Sequence, residues 1–258
     1  MSTAEFLEIM AGMRNAMLRP RICIRIGLCL SIAVNSVLAN ADNKLTPPPY
    51  VVTGLETITT GVTWEEAAIR TALPPGVVPA KEMTGGINIY KAAGGNGFGA
   101  YTAAYLWVDL EGLDSSDGTK GRWMLAGIYG SQEVMAVVQE FYGLPVRNGN
   151  ARYEATAKGL RAVGASAGHD LISVEAEIDM DKCKPGGGSV SYLSQMPRTK
   201  HFILLSDAFW GELCPAQVDS VRIMAPDGDP FAQFKPKSIN WAVQFKGSVA
   251  VMPPTIRP

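Results

Sequence analysis

Alternation with a period of two is the strongest constraint this chain places on its own folding. Ile172, Val174, Ala176, Ile178 and Met180 interleave with Ser173, Glu175, Glu177 and Asp179. Successive side chains of a strand point to opposite faces, so the segment reads as a β-strand with one face buried and one solvated. Ala104, Leu106, Val108 and Leu110 alternate with Tyr105, Trp107 and Asp109 in the same way, again predicting one buried face. Further strands are predicted over 50–62, 87–92, 122–129, 201–205, 218–224 and 241–251, where Val, Ile, Thr and aromatic residues concentrate. The 17 prolines and 27 glycines suit the many turns of such a chain, and Gly186-Gly187-Gly188 reads as one of them. The fold class expected is mainly β with α+β character: a curved or closed antiparallel sheet with a few helices packed outside.

Two helices are predicted. Thr63-Trp64-Glu65-Glu66 has the spacing of a capping box and opens a helix that Pro74-Pro75 stops near Leu73. The second spans about three turns before Gly143-Leu144-Pro145. Val134, Val137, Val138 and Phe141 fall at i, i+3, i+4 and i+7 and give it one apolar face. Gly143 suits the left-handed residue that ends a helix.

Residues 1–41 read as a secretory signal peptide. Arg14, Arg19, Arg21 and Arg25 precede an apolar run from Ile26 to Ala39, and Ala39-Asn40-Ala41 has the small residues of a cleavage site. Met17 would give a start of more usual length. The apolar run, about 14 residues, falls short of the ~20 that a membrane span needs. Residues 42–258 are then one domain, exported to the periplasm or secreted, with no stable span after processing. Cys183 and Cys214 remain in it and are candidates for a disulfide worth about 3–4 kcal/mol in an oxidising compartment, two buried thiols being the alternative. A formal net charge of −1 gives no electrostatic case for nucleic acid. Two histidines, His169 and His201, do not suggest a catalytic zinc site, and no metal or cofactor is expected. The glycine-rich run Gly94 to Gly99 lacks the Lys-Ser/Thr that a phosphate loop requires and reads as a turn.

Three segments resemble the acetoacetate decarboxylase family. Tyr50 with the following strand resembles the family's Gly-Pro-Tyr segment, Gly97-Phe98-Gly99-Ala100-Tyr101-Thr102 its Gly-(Leu/Phe)-Gly-x-Tyr-Thr motif, and Glu140 to Pro145 the stretch before its lysine pair. The resemblance implies a cone-like antiparallel β-barrel around an apolar pocket. It also implies a Schiff-base lysine, and there the chain departs from the pattern. Val146 stands where that lysine would be and Arg147 where the second lysine, which lowers the first one's pKa, would be. Ala103 replaces a glutamate, Leu55 an arginine and Asn88 an acidic residue. Imine catalysis needs a neutral primary amine, which neither valine nor arginine provides. Lys91 and Lys158 lie in the matching region and are read as surface lysines.

By this resemblance the pocket would be lined by Leu55, Asn88, Tyr101, Ala103, Glu140, Val146 and Arg147. The expected protein is a non-catalytic relative that binds a small apolar or weakly acidic molecule; Arg147 either meets a ligand carboxylate or lies at the surface or barrel rim. The alternative is a lyase acting on a keto acid through a relocated residue. The partner expected is a small molecule, with homo-oligomerisation left open. N-terminal sequencing of the processed protein is expected to read Asp42 first; a mature product that retains Arg19 would contradict the export reading.

Overall fold

The computed structural model describes residues 46–114, 117–157 and 159–256. The leader expected over 1–41 and Lys158 lie outside the described residues. Among the described residues, thirteen strands form one mixed sheet, accompanied by two α-helices. The strands are β1 (Tyr50–Trp64), β2 (Thr84–Ala92), β3 (Gly94–Gly95), β4 (Tyr101–Asp109), β5 (Arg122–Tyr129), β6 (Val146–Asn148) and β7 (Asn150–Ala155). They continue with β8 (Leu160–Ser166), β9 (His169–Ile178), β10 (Lys184–Gln195), β11 (Phe202–Ile223), β12 (Pro236–Val251) and β13 (Thr255–Ile256). Helix α1 is Glu66–Ala72 and helix α2 is Gln132–Tyr142.

Strand order runs β10-β5-β4-β2-β1-β12-β11-β9-β8-β7. The additional β10–β11 pairing returns to the start, so seven strands make a closed hydrogen-bonded circuit. Most pairs are antiparallel, but β5 runs parallel to both β6 and β10. The sheet is therefore mixed, not purely antiparallel. Strand β11 is long enough to serve two neighbourhoods. Its first half pairs β10 and β12, and its second half, from Ala216, pairs β9.

Alternation along the strands divides the apolar residues into two layers. Ile58, Ile87, Leu106, Ile128, Ile172 and Val174 belong to one cluster, packed between the central strands and β7–β9. Tyr90, Tyr101, Tyr105, Trp107, Tyr129 and Val134 belong to the other, on the opposite face. Strand β4 is thus buried on both faces, not one: Leu106 is fully buried on its first face and Trp107 is 1% exposed on its second. Its sequence alternates in size and aromaticity, and the tertiary fold covers both sets.

Two local expectations change. Thr63 is paired within β1, its hydroxyl facing Asn240, and it does not cap α1. The cap position is Glu65, which makes no side-chain capping bond, while Glu66 pairs with Arg70 one turn on. Strand β1 persists through Trp64 because that indole is buried and donates to the Trp107 carbonyl at 2.8 Å. Gly186-Gly187-Gly188 is extended within β10, where a Cβ on Gly187 would lie 2.5 Å from the Phe209 carbonyl oxygen. Cys183 and Cys214 are joined by a disulfide with Cα atoms 4.0 Å apart at the end of the β10–β11 ladder. No helix among the described residues is long and apolar enough to cross a membrane.

The close approach of β1, β2 and β4 around Trp64 leaves no room for a side chain at position 85. A Cβ there would lie 2.2 Å from the Trp107 carbonyl oxygen and 2.5 Å from the Trp64 indole nitrogen. Gly85→Ala is expected to cost about 2–3 kcal/mol through overpacking and disruption of that hydrogen bond. Urea denaturation measures this; an unchanged midpoint would contradict it.

Candidate functional site

The second apolar layer is not solid. It surrounds a cavity of about 240 Å³ inside the strand circuit. Its wall is largely apolar, with Val52, Met124, Leu205 and Val249 from the strands. Seven of the eight tyrosines line it, all but Tyr153. Their rings meet mostly edge to face: Tyr90 is 5.8 Å from Tyr101 and 6.2 Å from Tyr105 between centroids.

Helix α2 closes part of the cavity instead of packing outside the sheet. Ser131 caps it by accepting from the Val134 amide, and Gly143 ends it with φ 58°. Between these stops, Val134, Val137 and Val138 turn toward the cavity and are joined there by Tyr142. The apolar stripe legible in the sequence is therefore a cavity wall.

A polar chain crosses this environment. The Thr59 hydroxyl donates to the Asn88 side-chain carbonyl, and the Asn88 amide donates to the Tyr105 hydroxyl at 2.6 Å. The Tyr105 and Tyr192 hydroxyls lie 3.0 Å apart, and an Arg122 Nη1 donates to Tyr192 at 3.5 Å. Arg122 lies over the Trp107 ring, 4.5 Å from its centroid. Its ion-pair partner is Asp109 at 3.9 Å, and its Nε has no hydrogen-bond partner. Asp207 enters the cavity from β11. One carboxyl oxygen is excluded from solvent and has no hydrogen-bond partner. Burial pushes its pKa up to about 7, opposed by the positive charge of Arg122. Burial also raises Tyr101 to about 12 and Tyr90, Tyr105 and Tyr129 well above the usual phenol range, so these hydroxyls stay protonated.

Of the seven residues expected to line the pocket, the structure brings Leu55, Asn88 and Tyr101 to its wall. Ala103 is fully buried on the same face, paired with Tyr90 and Tyr129, whose rings form the wall there. Val146 belongs to the surrounding cluster but not to the wall, packed near Met124 and Tyr105. Glu140 is exposed on α2, 3.8 Å from Arg198. Arg147 points away. It pairs with Asp229 and lies 5.9 Å from the Phe231 ring, because neighbours in β6 face opposite sides. It is not available to a ligand in the cavity.

Arg122 and Asp207 are the residues that sequence reading missed. Leu205, Asp207, Phe209 and Leu213 share one strand face and all line the cavity. A single acid within that apolar alternation is a signal the sequence does carry. Arg122 is harder to find, since a register shift opposite Leu106 and Trp107 leaves Leu125 as an extra residue. Met124 and Tyr129, an odd number apart, consequently reach the same cavity. Among the described residues the close group of metal-ligating types is Cys183, Glu212 and Cys214, whose two sulfurs are consumed by the disulfide.

No protein-family model matches this sequence, and no curated protein matches it. Solved structures match the fold. A structure of acetoacetate decarboxylase superposes with a TM-score of 0.66 at 14% identity, covering 83% of this chain and 91% of its own. Acetoacetate decarboxylase from Legionella pneumophila gives 0.67 at 14% identity, with 95% and 93% covered. The enduracididine biosynthesis enzyme MppR complexed with pyruvate gives 0.64 at 12% identity, with 83% and 91% covered. The chain has the acetoacetate decarboxylase fold.

Asp207 gives the cavity a measurable pH signature. Folding raises its pKa from 3.8 to about 7, so the folded chain holds this proton more tightly than the unfolded chain. The stability contributed by protonation is full below pH 4 and is lost as the pH rises through 7. Asp207→Asn removes the charge and is expected to stabilise the protein by about 2–4 kcal/mol at pH 8, with the gain vanishing toward pH 4. Denaturation midpoints at the two pH values check it; a gain that grows toward low pH would contradict it.

Proposed function

We propose that this chain is an exported binding protein that holds a small, largely apolar or weakly acidic molecule in the cavity and does not decarboxylate through an imine. One observation carries the reading: among the described residues that line the cavity, none is a lysine. A Schiff base requires a neutral amine beside the ketone. The position that resembles the family's lysine is Val146, packed behind the wall. Lys91 is half-exposed, paired with Glu56 at 2.8 Å. Enclosure and an apolar wall favour binding of a small organic ligand. We read the closed strand circuit as a cone-like barrel around that ligand. Support for export comes from the leader-like segment over 1–41 and from the disulfide, which suits an oxidising compartment.

A second reading rests on Asp207. A carboxyl that titrates near neutral pH inside a cavity, close enough to feel the charge of Arg122, has the properties of a general acid. It would make the chain a lyase that holds a keto acid on Arg122 and protonates it from Asp207. Asp207→Asn would then abolish turnover of a keto acid followed by proton NMR. Under the binding reading there is no turnover to abolish.

Borohydride treatment with acetone is expected to leave the unaltered protein unmodified by mass, whereas a trapped lysine would sink the binding reading. Val146→Lys is expected to become trappable, with its amine below the usual lysine pKa because of burial. It should still decarboxylate acetoacetate poorly, since Ala103 and Leu55 leave the site without an acid and an arginine at the family's positions.

A further inference from the structure

Two opposite charges line the cavity without meeting each other. Arg122 is 13% exposed, stacked on Trp107 and joined to Tyr192 only by a long contact. Its ion-pair partner is Asp109, and its Nε lacks an acceptor. Asp207 has an oxygen with neither solvent nor a donor. A buried charge without partners is costly, and folded chains seldom keep one unless something satisfies it. Direct pairing of the two would satisfy both, but the strand register keeps them apart. Arg122 is the β5 partner of Tyr192, whereas Asp207 is the β11 partner of Val190, so β10 separates them. Two strand spacings across and two residues along put their Cα atoms roughly 12 Å apart.

Resting on the binding reading above, we propose that the cavity takes a small zwitterion with an apolar spacer. Its carboxylate sits on Arg122 and its ammonium on Asp207. A plain carboxylic acid would satisfy Arg122 and leave Asp207 without a donor. A plain amine would satisfy Asp207 and leave the Arg122 Nε without an acceptor. A ligand carrying both groups settles both, and its methylenes replace water along Val52, Met124, Leu205 and Val249. The ammonium end has further support. Tyr101, Tyr129 and Tyr142 stand near enough to Asp207 for its charge to act on their hydroxyls. Aromatic rings around a carboxylate form a favourable environment for an organic cation.

Titration calorimetry on the purified protein tests this with 4-aminobutanoate, 6-aminohexanoate and 8-aminooctanoate against hexanoate and hexylamine. The best amino acid is expected to bind about 10- to 100-fold more tightly than either singly charged probe, the gain of one charge-assisted contact. Asp207→Asn should erase its advantage over hexanoate, and Arg122→Gln its advantage over hexylamine. Circular dichroism establishes that each variant is folded; if one is not, the comparison of probes on the unaltered protein decides alone. Hexanoate or hexylamine binding as tightly as every amino acid would overturn the zwitterion and leave the binding reading intact. So would saturable binding of anilinonaphthalene sulfonate, displaced by none of the amino acids. If neither the dye nor any probe binds, both readings fall.

Discussion

Burial of strand β4 on both faces is the constraint from which the rest of this structure follows. One face packs Ala104, Leu106 and Val108 into a dry core beneath β7–β9. The other carries Tyr101, Tyr105 and Trp107 toward the cavity. A strand with two apolar faces needs cover on both, as layered architectures demand. Here β7–β9 cover one face, and the return of β10–β12 with helix α2 covers the other. Large rings on the second face meet edge to face and line the cavity there.

That enclosure sets the electrostatics. In open solvent, Asp207 would be an ordinary carboxylate and Arg122 an ordinary surface cation. Inside the circuit the loss of water raises the pKa of Asp207 and keeps the tyrosine hydroxyls protonated. Neutral hydroxyls both donate and accept, so they can link Asn88 to Arg122 without introducing another charge. Asn88, at the position that resembles an acidic site, fits the same economy. An acid there would bring a second negative charge into the space that already holds Asp207.

The positions that the resemblance identifies and the charged residues of the cavity do not coincide in this chain. Valine at 146 and alanine at 103 take the amine and the acid out of the positions that the resemblance identifies. Arg122 and Asp207 place a cation and an acid on other strands, with β10 between them. The fold is shared with acetoacetate decarboxylase, and the charges inside it are those of Arg122 and Asp207.

The sequence by itself determined the β-rich class, the end of α2 at Gly143, and the absence of a lysine at 146. Each rests on local physics: a period of two, a left-handed stop, and the identity of one side chain. Tertiary structure alone decided which residues share the cavity. Arg147 follows Val146 directly, yet faces Asp229 on the other side of the sheet, because adjacent residues of a strand cannot share a pocket. Glu140 stays at the surface because its helix turns its valine stripe, and not its acidic side, inward. Arg122 and Asp207 lie 85 residues apart in sequence and on strands separated by a third. Their common environment exists only when the circuit closes, and a bulge in β5 hides even the local rhythm that would place Arg122 on the inner face.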